Sequence, residues 1–243
     1  MEKPREDTSL TAYREHSAFT CAGVAADPEV AGLETALSKE HDALKQQART
    51  LEDQEEEVQK KRSIFLGKDA RCDRIVRSFE LRLLDLVGKR RNDPLYRRYF
   101  AEGLREITEA EPRVVEPALV KTIIATLDDD KNKSDIGPLA TEFQPQFESV
   151  LADVLATEKA LSDAEERARH LDEKTIPEVK ARWVDEYVKL HAALRGKLPR
   201  DPARVEGFFY PFKKDRKKVA DGAGDAPAPA TSGADAATAS KSA

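Results

Sequence analysis

Leu37, Leu44, Leu51, Val58, Phe65, Cys72, Phe79 and Leu86 stand at every seventh position, and this repeat constrains the fold more than any other feature of the chain. Seven residues are close to two turns of α-helix, so one seam of a long helix stays apolar from about residue 29 to Arg91. A second seam follows, in which Phe143, Phe147, Val150, Val154, Thr157, Leu161, Ala164, Ala168, Leu171 and Thr175 alternate spacings of four and three. Two rods of similar length, each with one apolar edge, bury those edges most simply by pairing antiparallel. The stretch between them then caps one end. The expected fold is all-α: a long antiparallel coiled-coil helical hairpin capped by a small helical-bundle head, with disordered termini.

Local signals divide the chain. Residues 1–26 mix charges, Ser/Thr and small side chains without a sustained period, and are expected to be a disordered N-terminal arm. Asp27-Pro28-Glu29 has the form of a helix start, an Asp N-cap followed by a proline whose missing N–H costs nothing there. Residues 27–198 are the helical hairpin and bundle, with a stalk of about 29–66 paired with 160–196 and a head of about 67–159. The stalk is thin because the second seam position is polar, as at Gln47, Gln54 and Lys61. After Cys72 the apolar face widens with Ile75, Val76, Leu83 and Val87.

Within the head, Asn92-Asp93-Pro94 opens a short helix with Leu95, Tyr99, Leu104 and Ile107 inward, ended by Glu111-Pro112. A third helix carries Val115, Leu119, Ile123 and Leu127 and stops in the polar run from Asp128 to Asp135. Gly137-Pro138 and Pro145 frame the entry to the second long helix. Thr175-Ile176-Pro177-Glu178 interrupts its seam, because Pro177 cannot donate to the preceding turn, and it also fits a capping box. A kink and a stop with restart are both compatible with it. Gly67 is a candidate flexible point. Val179, Trp183, Tyr187, Leu190 and Leu194 carry the apolar face on to Gly196. Residues 199–212 read as an extended aromatic segment. Residues 213–243 begin with the basic run KKDRKK and continue as an Ala/Pro/Gly-rich tail, too poor in apolar residues to fold.

Composition narrows the chemistry. Charged residues are 36% of the 243-residue chain and aromatics 6%, and the formal net charge of -5 argues against general affinity for a phosphate backbone. The charge is uneven: residues 1–59 hold six Lys/Arg against fourteen Asp/Glu, whereas Lys60 to Arg105 hold fourteen against six. The two cysteines, Cys21 and Cys72, do not form a metal or redox pair and read as reduced thiols. The early residues are too charged for a secretory signal, and no apolar run approaches a bilayer span, so the expected location is cytoplasmic.

No active-site spacing is recognisable. None of His16, His41, His170 and His191 follows a Glu by three residues, and HExxH, GxSxG and glycine-rich phosphate loops are absent. Asp128, Asp130, Asn132 and Ser134 match the start of a calcium loop, but Lys133 replaces its glycine and Leu139 its closing glutamate. No cofactor and no metal site is expected, and the chain reads as a non-enzyme.

Two surfaces remain as candidates for binding. Arg71, Arg74, Arg82 and Lys89 share one side of the first long helix. They either meet an acidic partner or phosphate, or pair with acids such as Asp163, Glu165 and Glu166 across the hairpin. Phe208, Phe209, Tyr210 and Phe212 hold four of the chain's fifteen aromatics outside the periodic helices, so they fold back near Trp183 and Tyr187, enter a partner's groove or, beside KKDRKK, anchor weakly at a membrane surface. The sequence supports a coiled-coil adaptor or regulatory protein that binds a protein partner, with homodimerisation through the heptad seam as a further use of the same surface. The alternative is a nucleic-acid or polyanion-associated protein acting through residues 60–105 and 213–218.

Overall fold

The computed structural model describes residues 3–4 and 8–210, and every element among them is helical. In chain order these are α1 (Leu10–Ala25), α2 (Thr35–Leu86), α3 (Pro94–Tyr99), α4 (Arg105–Thr108), α5 (Val115–Asp130), α6 (Gly137–His170), α7 (Ile176–Lys197) and α8 (Pro202–Gly207). A π-helical turn, Leu171–Thr175, joins α6 to α7 without a break. The 52 residues of α2 make a rod about 80 Å long, and α6–α7 returns antiparallel along it.

The first seam is buried from Leu37 to Phe79, with Leu51 half-buried. At its end it moves over: Leu83 and Val87 are buried and Leu86 is exposed, because α2 must turn toward the head there. The turn is a left-handed helix terminus in which Gly88 and Lys89 have φ of 64° and 63°, and the Lys89 N–H donates to the Leu84 carbonyl at 2.6 Å. Gly67 does not interrupt α2.

The head is built on Phe79, which is fully buried and touches Tyr99, Phe100, Phe143 and Phe147 at ring-centroid distances of 5.2–5.9 Å. In place of the single short helix expected after Asn92 there are two, α3 and α4. Phe100 turns into the core directly after α3, and Gly103, at φ 98°, reverses the chain before α4. Asp93 caps α3 as expected, its side chain accepting from the Leu95 N–H at 3.0 Å. The Gly137 start of α6 is required by close approach, since a Cβ there would lie 2.6 Å from the Lys131 carbonyl oxygen. Pro145 sits inside α6 and does not end it.

At the opposite end, the base, two expectations are corrected. Residues 10–25 are helix α1, packed on α2, not a disordered arm. Its buried face is Tyr13, His16, Ser17, Thr20 and Val24, a helical stripe that is half polar and so carries little apolar period. Asp27-Pro28 does not start the long helix either. Residues 28–34 are turns and α2 begins at Thr35; the Asp27 carboxylate accepts from the Glu29 N–H at 3.2 Å and is also bound by Arg204 of α8 at 2.6–2.9 Å. The segment 199–212 is accordingly not extended through its length: Asp201 caps α8 by accepting from the Arg204 N–H at 3.0 Å.

Pro177 produces a bulge, not a stop. The Ile176 N–H donates to the Leu171 carbonyl five residues back, and the π turn moves the buried seam from Leu171 to Ile176 instead of Thr175. One extra residue thereby brings Ile176, Val179, Trp183, Tyr187, Leu190 and Leu194 onto the face that meets α2 and α1.

Candidate interaction surfaces

At the base, Trp183 and Tyr187 of α7 stack at 4.5 Å and are both fully buried. Tyr13 of α1 meets the Trp183 edge at 4.9 Å, and Phe209 meets Tyr187 at 5.0 Å and His191 at 5.1 Å. Phe208 lies against α1, close enough that a Cβ on Gly23 would touch its ring at 3.4 Å. Phe208 and Phe209 are therefore buried in the chain's own base. Tyr210 is 42% exposed and rests edge-on against His16 and Phe19, each at 5.4 Å. Phe212 and the basic run 213–218 lie outside the described residues. Of the aromatic cluster, Tyr210 alone presents an exposed ring among the described residues.

The base also buries polar groups. Burial lowers the pKa of both His16 and His41, and holds the Tyr187 phenol up at about 12. Trp183 Nε1 is buried there without a hydrogen-bond partner among the described residues. Helix α1 thus covers a layer that is aromatic on one side and polar on the other.

The basic row of α2 is largely spent within the hairpin. Arg71 Nη1 and Lys68 Nζ reach Asp153 Oδ2 of α6 at 3.3 and 2.8 Å, and Arg82 Nη2 reaches Glu142 Oε2 at 3.3 Å. Arg62 and Arg113 converge on Glu165 at 3.4 and 2.9 Å, and Arg113 holds that carboxyl below the usual range. Arg74 is exposed and makes no ion pair among the described residues, and Lys89 is exposed in the helix terminus described above. The four cations do not converge on one point.

Three buried acids, which the heptad pattern does not reveal, lie in the head, and two of them tie its helices together. Asp130, fully buried, accepts from Tyr99 Oη at 2.8 Å, Arg98 Nη2 at 2.8 Å and Lys133 Nζ at 2.6 Å. Burial opposes its charge, but those three donors outweigh it and leave the carboxyl below its ordinary value. The acidic run around Asp128–Asp135 is thus a structural junction. Glu80 accepts from Tyr96 Oη at 2.8 Å and Arg91 Nη2 at 3.3 Å, tying α3 to α2.

Glu116, in the first turn of α5, is 4% exposed and faces Asp69, Cys72 and Asp73 of α2. Burial first, and the Asp69 carboxylate second, raise its pKa to about 8, and burial likewise raises that of the Cys72 thiol. The thiol is free, buried and held in its unreactive protonated form. Among the described residues no group of three or more His, Cys, Asp or Glu is placed to hold a metal ion, and no helix is long and apolar enough to cross a membrane.

Two grooves run along the outside. One, of about 330 Å³, lies between α5 and α6 and is floored by Ile124, Leu151 and Leu155. The other, of about 580 Å³, lies at the middle of the rod, floored by Val58 of α2 and Ala168 of α6 and rimmed by Glu52, Glu55, Glu56 and Glu165. Nothing in the heptad pattern predicts this second groove, because its glutamates read as a solvated helix face. Locating it requires knowing where α1 and α5 end. No family of proteins, no curated protein and no solved structure matches this chain, so the functional reading stands on its residues alone.

Proposed function

We propose that this chain is a non-catalytic coiled-coil adaptor or regulatory protein whose work is to bind a protein partner along its helical flanks. The supporting observation is the set of large apolar side chains left outside the hairpin: Leu66 is 52% exposed, Leu81 62% and Val114 71%. A single exposed leucine needs no explanation, but these accompany two grooves with apolar floors on a rod whose own seam is already closed. Helical flanks of this kind recognise partners by apolar contacts at helical spacing, with charged rims setting register.

The pairing of Arg71 with Asp153 and of Arg82 with Glu142 favours a protein partner over a polyanion, since cations already neutralised across the hairpin release fewer counterions from a phosphate backbone. Capture on the intact chain from native lysate, with the mass of the complex measured in solution, tests the reading. A stoichiometric protein partner is the expected result. A monomer that retains none, and binds duplex or single-stranded nucleic acid with an affinity falling steeply with salt, would replace it with the polyanion reading.

A further inference from the structure

The rod is three helices thick at both ends and two helices thick between them. At the base α1 is the third helix, and the Lys180 ammonium bonded to the Thr8 carbonyl at 2.8 Å marks where it begins. Arg182 pairs with Glu40 at 3.4 Å, so α1 gives out beside α2 a little beyond His41. In the head α5 is the third helix, and its first turn lies where Glu116 meets Asp69 and Cys72. Between these limits, among the described residues, α2 runs paired with α6 and the start of α7 and with no third helix for roughly 35–40 Å, the length of a helix of about 25 residues.

The bare stretch continues the face that α1 covers. His41 points toward α1, where Arg14 lies near it. At 100° per residue Gln59 stands at the same angle on α2 as His41, with Glu52 about 20° and Glu55 about 40° away. On α6, Glu165 lies about 40° from Leu151, which faces the groove beside α5. Among the described residues the mid-rod groove is therefore the open middle of a strip whose two ends are each covered by a helix.

Its chemistry differs from those ends. Val58 and Ala168 make an apolar floor only two side chains wide, which suits one helix with a narrow stripe of Ala or Leu. The rim carries four glutamates and no Lys or Arg. Glu56 is held by Lys60 at 2.7 Å, and Glu165 by Arg113 and Arg62. Glu52 and Glu55 are exposed and have no ion pair among the described residues. An acidic or neutral helix seated there would leave them facing like charge or nothing, whereas a basic one would pair with them.

We propose that this notch receives a basic amphipathic helix of a partner protein, lying as a third helix between α1 and α5. The proposal rests on the protein-binding reading above and assigns that reading a site and a partner chemistry. The helix presents Ala or Leu to Val58 and Ala168 and Lys or Arg to Glu52 and Glu55. Binding weakens as salt rises, because the rim contacts are exposed.

Fluorescence anisotropy on the full chain tests it with three labelled 18-residue peptides. The first has a Leu/Ala stripe flanked by Lys and Arg, the second the same composition with the stripe scrambled, and the third Glu in place of every Lys and Arg. The expected result is saturable binding of the first, with the other two at least tenfold weaker. The paired substitution Glu52→Lys with Glu55→Lys weakens the first peptide at least tenfold. Glu102→Lys with Glu106→Lys, the same charge change at exposed positions of the head, leaves it within twofold. Equal binding of the scrambled or acidic peptide, or equal loss in both variants, overturns the proposal. So does a dimer in solution that the Glu52/Glu55 variant converts to monomer, since that seats a second copy in the notch. If the Glu52/Glu55 variant captures a protein partner from lysate as well as the natural chain does, the site is wrong and the adaptor reading survives. If the natural chain captures none, that reading fails whatever the peptides do.

Discussion

Glu116 sits in a buried cluster with Asp69, Asp73 and Cys72, and its pKa rises from an ordinary 4.5 to about 8 because burial and the Asp69 charge both disfavour a second carboxylate. Between those values the folded chain keeps a proton that the unfolded chain has released. Its contribution to stability therefore falls as pH rises through that window. Asp130 has the opposite sign: its donors depress its pKa, so its contribution is present above the ordinary carboxylate value and is lost as pH falls. Glu116→Gln keeps the shape and the donor of the protonated acid without the titration. Urea melts at a series of pH values are expected to show the variant more stable than the natural chain at pH 8 by roughly 1–3 kcal/mol, and nearly equal to it at pH 5. A variant less stable at pH 8 would mean that the buried group is ionised and paired. None of this was legible in the sequence, because Glu116 follows Val114-Val115 like any first-turn acid and its neighbours on α2 are more than forty residues away.

Among the elements, α2 and α6 were legible and α1 was not, for one physical reason. A seam is visible when apolar residues dominate it, as from Phe143 to Leu171 with Thr157 its one polar member. The buried stripe of α1 holds His16, Ser17 and Thr20, side chains that pattern reading assigns to solvent. The aromatic cluster was legible in that Phe208 and Phe209 needed cover, but the means was not: α8 is tied down by Arg204 on Asp27 and Glu29. Removing residues 1–26 separates a disordered arm from a packed helix. The truncated chain is expected to expose Trp183, red-shifting its emission, to bind a hydrophobic dye and to lose about 3 kcal/mol or more; an arm would leave all three unchanged. The π turn makes a second element-scale prediction. Deleting Lys174 removes the residue that carries the seam from Leu171 to Ile176, and Pro177→Ala removes the proline that an unbulged helix would not tolerate. The combined variant should melt within a few degrees of the natural chain, whereas Lys174 deletion alone should melt clearly lower. The reverse order would show that the bulge does not serve the register of Trp183.

Across the described residues, the two long helices define one antiparallel rod thickened at each end by helices of different character. The base third helix covers aromatic and polar side chains. The head third helix covers an aliphatic and phenylalanine core sealed by buried acids. The sevenfold repeat made the antiparallel pairing legible, because two seams of similar length joined by capping helices have few other ways to close. The repeat was silent on the gap between α1 and α5, which depends on where polar-faced elements begin and end. The antiparallel register carries both the fold and the placement of the notch, and pulsed electron-paramagnetic-resonance distances test it most directly. Spin labels would replace Glu40 and Arg182, or Glu40 and Asp153, in a chain whose Cys21 and Cys72 have been replaced, diluted with unlabelled protein. Adjacent helices running antiparallel place the 40/182 labels roughly 10–20 Å apart and the 40/153 labels roughly 40 Å apart. A short 40/153 distance with a long 40/182 distance, or two long distances, would contradict the account.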